Sequence, residues 1–517
     1  MIKKLNTPPY IEYIILIFFS FFINYYYSNL GVLTQDTFAY YDTAYRILSG
    51  AVPFKDYWTV SGPFIDYLQA AFFYILGVSW KSYIISSSII NCVITVLFFF
   101  LIRNFNLSRP LSLFYALCFS VLANSSMGVP FADHYSTFLS LMGIFFFLLA
   151  VKKNIYFFWL IVPILFFFGF FSKQSPSSYI FIILIITTVI YIYQEKKFAF
   201  LKYYVVSSIF CVFILYLFFF FNRIDIDQFL HQYIFFPQTI AEERVKNYKF
   251  SFNSVFAQFK FIYIFLIPLI AITYKRYKEI IFHKDYKFLF SIIIILLSFA
   301  LIFHQIITKN FIFIFFLIPV LASLLHVNLS EDFKYKKIIG IFLVSLTLFL
   351  TIKYHYRFNE NRKMLNLENI NLSISINSKA IHKSLDGLNW ITYKYSKNPK
   401  LEIKLIKDSL KIIEKDKSKK MLLTEYLFFS SILNEDLNNP SRWPSLQDAS
   451  NPNKKNKYYE FYKKFIEDLI KIKKIETLYS TKDNEINIFS DIFDKNCRKV
   501  KEINDFLTKH DIKNCIK

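Results

Sequence analysis

Hydrophobic and polar positions along this 517-residue chain follow two regimes, and the change falls near residue 354. Before it, apolar runs approaching membrane length recur between short polar turns, at approximately 11–30, 83–102, 111–127, 136–151, 155–171, 177–193, 203–221, 255–274, 287–303, 310–327 and 337–354. A bilayer crossing needs about 20 apolar residues, so each run predicts a transmembrane helix. The runs are continuous and do not alternate, which argues against a β-barrel. After 354 the patterns shorten. Leu401, Leu405, Ile406, Leu410 and Ile413 recur at helical spacing and predict a helix over 401–415. A compact apolar run at 421–429 predicts a buried strand, 458–473 a second helix and 475–479 a second strand. That alternation is the mark of a small α/β domain. The expected architecture is an α-helical polytopic membrane protein of about eleven spans over 1–354, followed by a soluble α/β domain over 355–517.

The connection over 31–82 interrupts the apolar regime. Asp36, Asp42, Arg46, Lys55, Asp56 and Asp66 place a charge every few residues, and Gly50, Pro53, Gly62 and Pro63 divide the stretch. It predicts short amphipathic helices lying at the membrane surface, the first over 37–49 and closed by Gly50. Asp36 takes the N-cap position, which is its structural role if it has no other. Asp36 and Tyr40 share a helix face, and Asp56 follows in a segment able to fold back. Asp42 and Asp66 read as solvated charges, and Trp58 and Trp80 as interface anchors.

Composition supports the membrane reading: 55% of residues are hydrophobic, 65 are Phe, and the mean hydropathy is +0.37. The net charge of +23 raises nucleic-acid binding only to set it aside. Much of the excess flanks the spans, and the rest lies in a Lys-rich C-terminal region that also carries many acids. Lys3 and Lys4, Arg103 and Arg109, Lys152 and Lys153, Lys196 and Lys197, Lys275 with Arg276 and Lys278, and Lys334 with Lys336 and Lys337 all fall on one side of the predicted topology. By the positive-inside rule that side is cytoplasmic. The N-terminus is then cytoplasmic, and the 31–82 connection and the C-terminal domain are extracytoplasmic (periplasmic) on an inner, or plasma, membrane. The first span has no small-residue cleavage site and is expected to be retained. Cys92, Cys118 and Cys211 lie in apolar runs as core residues, whereas Cys497 and Cys515 are either a disulfide or two thiols.

Other candidate chemistry sits on the extracytoplasmic side. Asp133 and His134 form an acid–imidazole pair at a span entrance, suited to a divalent metal or to orienting a substrate, or else to capping the helix. Lys173, Arg244 and Lys309 are cations available to a phosphate. The 222–254 connection carries His231, Glu242, Glu243 and Arg244 beside Phe-rich sequence, and reads either as a gate or as a surface helix. His304, beside Gln305 at the end of a span, reads either as a cavity-lining side chain or as one at headgroup level, with the latter favoured.

Asp36, Tyr40, Ala44, Leu48, Gly50, Pro53, Asp56, Gly62, Pro63 and Gly77 occur in an order that resembles the first extracytoplasmic loop of GT-C glycosyltransferases. The similarity is to the branch with protein O-mannosyltransferases and the lipid A aminoarabinose transferase. FADHYSTFLSL at 131–141, FFSKQSP at 170–176 and ITKNFIFIFFLIPVL at 307–321 resemble later parts of that branch. The resemblance covers the membrane half. It implies a transferase that takes a sugar from a polyprenyl-phosphate carrier, with a cell-envelope glycan, lipid or protein as acceptor and membrane lipids around it. Asp36 would be the general base and Asp56 a second catalytic carboxylate. Tyr40, Asp133, Lys173, Arg244 and Lys309 would bind substrate, with inversion at the sugar carbon. Branches of the superfamily differ on metal, so a divalent ion at Asp133 and His134 stays open.

Two other classes compete. A transporter or flippase for a lipid-linked saccharide would place ionisable residues within spans and show related halves, whereas here acids concentrate in loops and no duplication is evident. An O-antigen polymerase or ligase would carry its large functional loop late in the chain.

Overall fold

The computed structural model describes residues 10–248, 251–279, 286–310, 312–329, 334–444, 449–481, 487–493 and 496–515. Lys3 and Lys4, and the side chains of Arg276 and Lys278, lie outside these. In chain order the helices are α1 (Tyr10–Ser28), α2 (Thr34–Leu48), α3 (Phe64–Leu76), α4 (Trp80–Asn104), α5 (Arg109–Ala123), α6 (Ala132–Lys153), α7 (Tyr156–Phe170), α8 (Gln174–Glu195), α9 (Ala199–Asn222), α10 (Ile226–Leu230), α11 (Phe236–Lys246), α12 (Lys260–Glu279), α13 (Tyr286–Thr308), α14 (Leu317–Asn328), α15 (Lys336–His355), α16 (Pro399–Lys415), α17 (Phe429–Leu433), α18 (Tyr459–Lys473) and α19 (Asn487–Ile492). The strands are β1 (Ile376–Asn377), β2 (Asn389–Trp390), β3 (Lys420–Leu423), β4 (Thr477–Thr481), β5 (Lys499–Glu502) and β6 (Leu507–Asp511).

Each predicted span has its helix: α1, α4 to α9, and α12 to α15. Seven helices among the described residues are long and apolar enough to cross a membrane: α1, α4, α6, α8, α9, α13 and the one beginning at Lys336. The protein is a polytopic helical membrane protein with a small sheet region near its C-terminus.

The chain divides into two compact units. The first comprises Met1–Ser28, Ile84–Leu215 and Tyr248–Met364. Its centre is α6, buried on every side from Ala132 to Val151 apart from Phe146, and packed by α7, α8 and α13. Val206, Phe210 and Phe213 on α9 and Ile338, Phe342 and Phe349 on α15 stand exposed. Apolar area costs roughly 25 cal/mol per Å² in water, so such helices belong in lipid.

A polar cluster locks the turn that leads into α6. Asn24 Nδ2 donates to the Gly128 carbonyl at 3.1 Å, and the Ser28 and Ser87 hydroxyls each lie 2.6 Å from the same oxygen. Gly128 has a φ of +76°, and a Cβ there would lie 2.5 Å from Ser28 Oγ. Only glycine meets both demands.

The second unit comprises Asn29–Tyr83, Tyr216–Asn247 and Leu365–Lys517. The composition boundary near 354 is close to its last junction, but this unit also takes in the 31–82 connection and the 216–247 segment. Its four-stranded sheet has the order β3-β4-β6-β5, with β3 parallel to β4 and the other pairs antiparallel. The parallel pair needs a crossover, which includes α18. The predicted helices at 401–415 and 458–473 and the strand at 475–479 appear as α16, α18 and β4. The strand predicted over 421–429 stops at Leu423, because the aromatic residues beyond it pack in different directions. Tyr426 reaches into α16, while Phe428 lies 4.8 Å from the Phe38 ring of α2. Cys497 and Cys515 form a disulfide, and Cys92, Cys118 and Cys211 are buried free thiols.

The core of this unit joins Met421, Leu478, Ile466 and Phe489 to Trp58 and Phe236. Trp58 and Trp80 are therefore buried core residues (1% and 0% exposed) and not interface anchors. Trp58 donates its indole N–H to the Ser450 carbonyl and packs on Phe236, Tyr462 and Phe465. Burying a large ring contributes roughly 1.5–3 kcal/mol, more than an interfacial position returns.

Candidate functional site

In the first unit, α6 begins after Phe131, and Asp133 lies in its first turn, where the helix dipole favours a carboxylate. Lys173 is the residue preceding α8, and its carbonyl accepts a 2.9 Å bond from Ser136 Oγ one turn into α6. That anchor points the ammonium back to Asp133. Lys173 Nζ donates to both carboxylate oxygens, at 2.9 and 2.7 Å. His304 Nε2, near the end of α13, lies 3.0 Å from Asp133 Oδ1. Asp133 and His304 are buried, whereas a quarter of the Lys173 side chain remains exposed. The expectation that His304 sits at headgroup level is corrected: three helices converge to hold it against a buried carboxylate. No spacing in the sequence pairs it with Asp133, because α6 and α13 meet only in the folded chain. An apolar cleft of about 360 Å³ between α7, α8 and α9 is lined by Phe166, Phe167, Phe170, Ser177 and Phe181, and none of Lys173, Asp133 and His304 lines it.

His134 takes no part in this cluster. Its Nε2 meets Ser126 Oγ at 3.1 Å, and its ring packs among Phe131, Phe138 and Phe313. Asp133 and His134 thus engage different partners, and among the described residues no group of three or more His, Cys, Asp or Glu side chains could hold a metal. Lys309 is exposed in the turn after α13, with a left-handed backbone. Gln305 secures that turn by accepting from the amides of Ile312 and Phe313.

In the second unit, Asp36 lies within the first turn of α2 and is not its N-cap. The helix starts three residues earlier than expected, after the extended Leu33, whose amide donates to Thr37 Oγ1 at 3.0 Å. Asp36 is half-buried. Ser49 and Gly50, the latter at φ +92°, close the helix as expected. Tyr40 is fully buried, its hydroxyl 3.2 Å from Ser61 Oγ and its ring beneath the Arg442 guanidinium at 4.8 Å. Asp56 folds back to accept from the Val52 amide at 2.8 Å and pairs with Lys473 of α18 at 2.7 Å.

Asp42 and Asp66 are not solvated. Asp66 is fully buried, accepts from Thr43 Oγ1 at 2.5 Å and pairs with Arg442. Burial pushes its carboxyl up to about 6, against the pull of Arg442 and Thr43. Asp42 is pushed up to about 7 by burial, opposed by Arg46 and reinforced by Asp436. Arg46 is itself buried, bonded to Asp436 at 2.9 Å and to the Asn439 carbonyl at 2.7 Å. The face of α2 that read as wet is the face covered by the C-terminal region.

The segment read as a gate or surface helix is α10, a π-turn and α11. His231 stacks on Phe461 at 4.0 Å and Phe236 enters the Trp58 core, so the segment is fixed to α18. Arg244 lies half-buried in the last turn of α11.

No protein-family model matches this sequence, and no curated protein does. Among solved structures the chain is similar to the crystal structure of ArnT from Cupriavidus metallidurans bound to undecaprenyl phosphate, with a TM-score of 0.50 and 9% identity over 96% of this chain and 97% of that one. At that identity the likeness shows the fold alone, that of a polytopic helical membrane protein.

Proposed function

We propose that this protein is a membrane glycosyltransferase that moves a sugar from a polyprenyl-phosphate donor to an acceptor hydroxyl on the extracytoplasmic face. The observation that carries the reading is the Lys173–Asp133–His304 cluster, a buried charge arrangement with one partly exposed ammonium. A lipid phosphate needs a cation for its oxygens. The fold shared with a protein whose structure contains undecaprenyl phosphate supports the same class of donor.

In the proposed reaction the acceptor oxygen attacks the anomeric carbon as its proton passes to Asp36. The bond from that carbon to the phosphate oxygen breaks, and the polyprenyl phosphate leaves with the electron pair. Attack from the face opposite the leaving group inverts the centre. Lys173 balances the charge growing on the phosphate, Asp133 and His304 hold Lys173 in place, and Tyr40 and Asp56 brace the segment that carries Asp36. Arg244 and Lys309 are secondary phosphate contacts. The membrane is the inner one, with the second unit outside the cytoplasm.

Full-length protein in proteoliposomes tests the reading with undecaprenyl phosphate and a panel of undecaprenyl-phosphate-linked hexoses and pentoses. Lys173→Met should weaken undecaprenyl phosphate binding about tenfold or more, as loss of a charge-assisted contact does. Asp36→Asn should leave that binding intact and lower transfer by about 10²–10⁴, the range of a general base. Undiminished transfer by Asp36→Asn removes the proposed base. A wild type that carries the lipids across the bilayer without transferring any sugar identifies a transporter.

A further inference from the structure

The C-terminal region reaches the start of α2 at three successive levels. The chain entering the helix is paired to β2 and its continuation: the Gly31 amide donates to the Asn389 carbonyl at 3.0 Å and the Val32 amide to the Ile391 carbonyl at 2.9 Å. One step on, Thr34 Oγ1, on the first residue of α2, donates to Glu425 Oε2 at 2.9 Å. One turn further, Phe38 packs against Trp390 and Phe428. Asp36 lies between the second and third of these attachments.

Glu425 is held for this contact. It follows β3 in a turn whose next residue, Tyr426, donates its hydroxyl to the buried Glu402 at 2.9 Å. Glu402 also accepts from the Trp390 indole at 2.8 Å and Thr392 Oγ1 at 2.9 Å, so one carboxylate of α16 ties together β2 and the Glu425 turn. Lys394 Nζ reaches the same Glu425 oxygen at 3.2 Å. Glu425 is thus a mostly buried acid, 17% exposed, with a hydroxyl of α2 on one side and an ammonium on the other.

From this geometry we infer that Glu425 is a positioning residue for Asp36: it fixes the first turn of α2 through Thr34 and, with Lys394, sets the local field there. The inference deepens the proposed function and rests on Asp36 acting as its base. It gives the C-terminal region a part in the reaction without contact with the reacting atoms. Charges at the mouth of a helix act directly on a carboxylate in its first turn.

Two readouts on full-length protein test it without a sugar substrate, so they stand or fall separately from the transfer assay. The first is hydrogen exchange of the amides over 34–38. Glu425→Gln and Thr34→Val should each speed exchange about tenfold, the scale of one charge-assisted hydrogen bond, while α16 and β4 keep wild-type protection and Thr34→Ser restores it. Thr34→Val lies outside the C-terminal region, so it decides the matter if Glu425→Gln fails to fold. The second is the pH titration of Asp36, read by carbodiimide labelling and peptide mass spectrometry. Glu425→Gln removes a negative neighbour and should lower the midpoint, and Lys394→Gln should raise it, each by about half a pH unit. Opposite shifts are not a product of general loosening. Unchanged exchange over 34–38, or midpoints that stay put in both charge variants, overturns the inference.

Discussion

Asp66 and Arg442 pair across the second unit with neither side chain reached by solvent. Two charges taken out of water are tolerated only together, and losing one partner typically costs roughly 3–5 kcal/mol. Asp66→Asn strands the Arg442 guanidinium, and Arg442→Met strands the carboxylate. Both variants should lower the midpoint of thermal unfolding in detergent. The Arg442→Met loss should be smaller at pH 5 than at pH 8, because the stranded carboxyl then takes up a proton.

Asp42 gives a pH dependence of defined sign. Its folded-state value of about 7 lies above the ordinary carboxyl value of 3.8, so between those limits the folded state holds a proton that the unfolded chain releases. Stability therefore falls as pH rises from about 4 to 7 and levels above that. Asp42→Asn keeps the shape without the charge. It should stabilise the protein at pH 8 by on the order of 2–4 kcal/mol and flatten the profile between pH 5 and 7, as read by melting curves.

Gly128→Ala meets strain and collision together. The backbone is left-handed there, and the new methyl would lie 2.5 Å from Ser28 Oγ and 3.1 Å from Ser28 Cα. The expected loss is about 2 kcal/mol or more, with lower monodisperse yield in detergent. Pairing it with Ser28→Ala should recover only part, because the backbone contact and the positive φ remain.

The Cys497–Cys515 disulfide closes a span of 18 residues around the β5–β6 hairpin. A loop of that length is worth about 3 kcal/mol through the unfolded state. Cys497→Ser, or a reducing agent acting on the wild type, should lower the melting midpoint to the same degree. A reducing agent should then have no further effect on the variant.

The spans were legible because each needs only its own residues: an apolar run of sufficient length is a helix in lipid whatever surrounds it. Termination of α2 at Gly50 was legible for a similar reason, since a positive φ is a local demand. What depends on partners from elsewhere was misread. Asp66 looks amphipathic along α3 alone, and only Arg442, 376 positions later, turns it into a buried ion pair. Trp58 and Trp80 fit a membrane interface by type, yet a core assembled from three segments claimed Trp58, and Trp80 is buried against Phe38 and Tyr83. The pairing of His304 with Asp133 was not legible, because the two are 171 positions apart. Asp133 and Lys173 were singled out with cause, and the structure joins them, but the reason for the join is the Ser136 bond that no spacing reveals.

Thr34 and Glu425 are 391 positions apart. During synthesis the first turn of α2 therefore exists for most of the chain's elongation without the contacts that hold it. The membrane helices need only lipid and near neighbours to form, whereas the Asp36 turn must wait for residues 389–428. Contacts of such long sequence separation form late. A chain cut short after its last span would carry Asp36 and every membrane helix and still present that carboxylate on an unsecured helix. Assembly order thus sets the proposed base only once the chain's final third has emerged and folded.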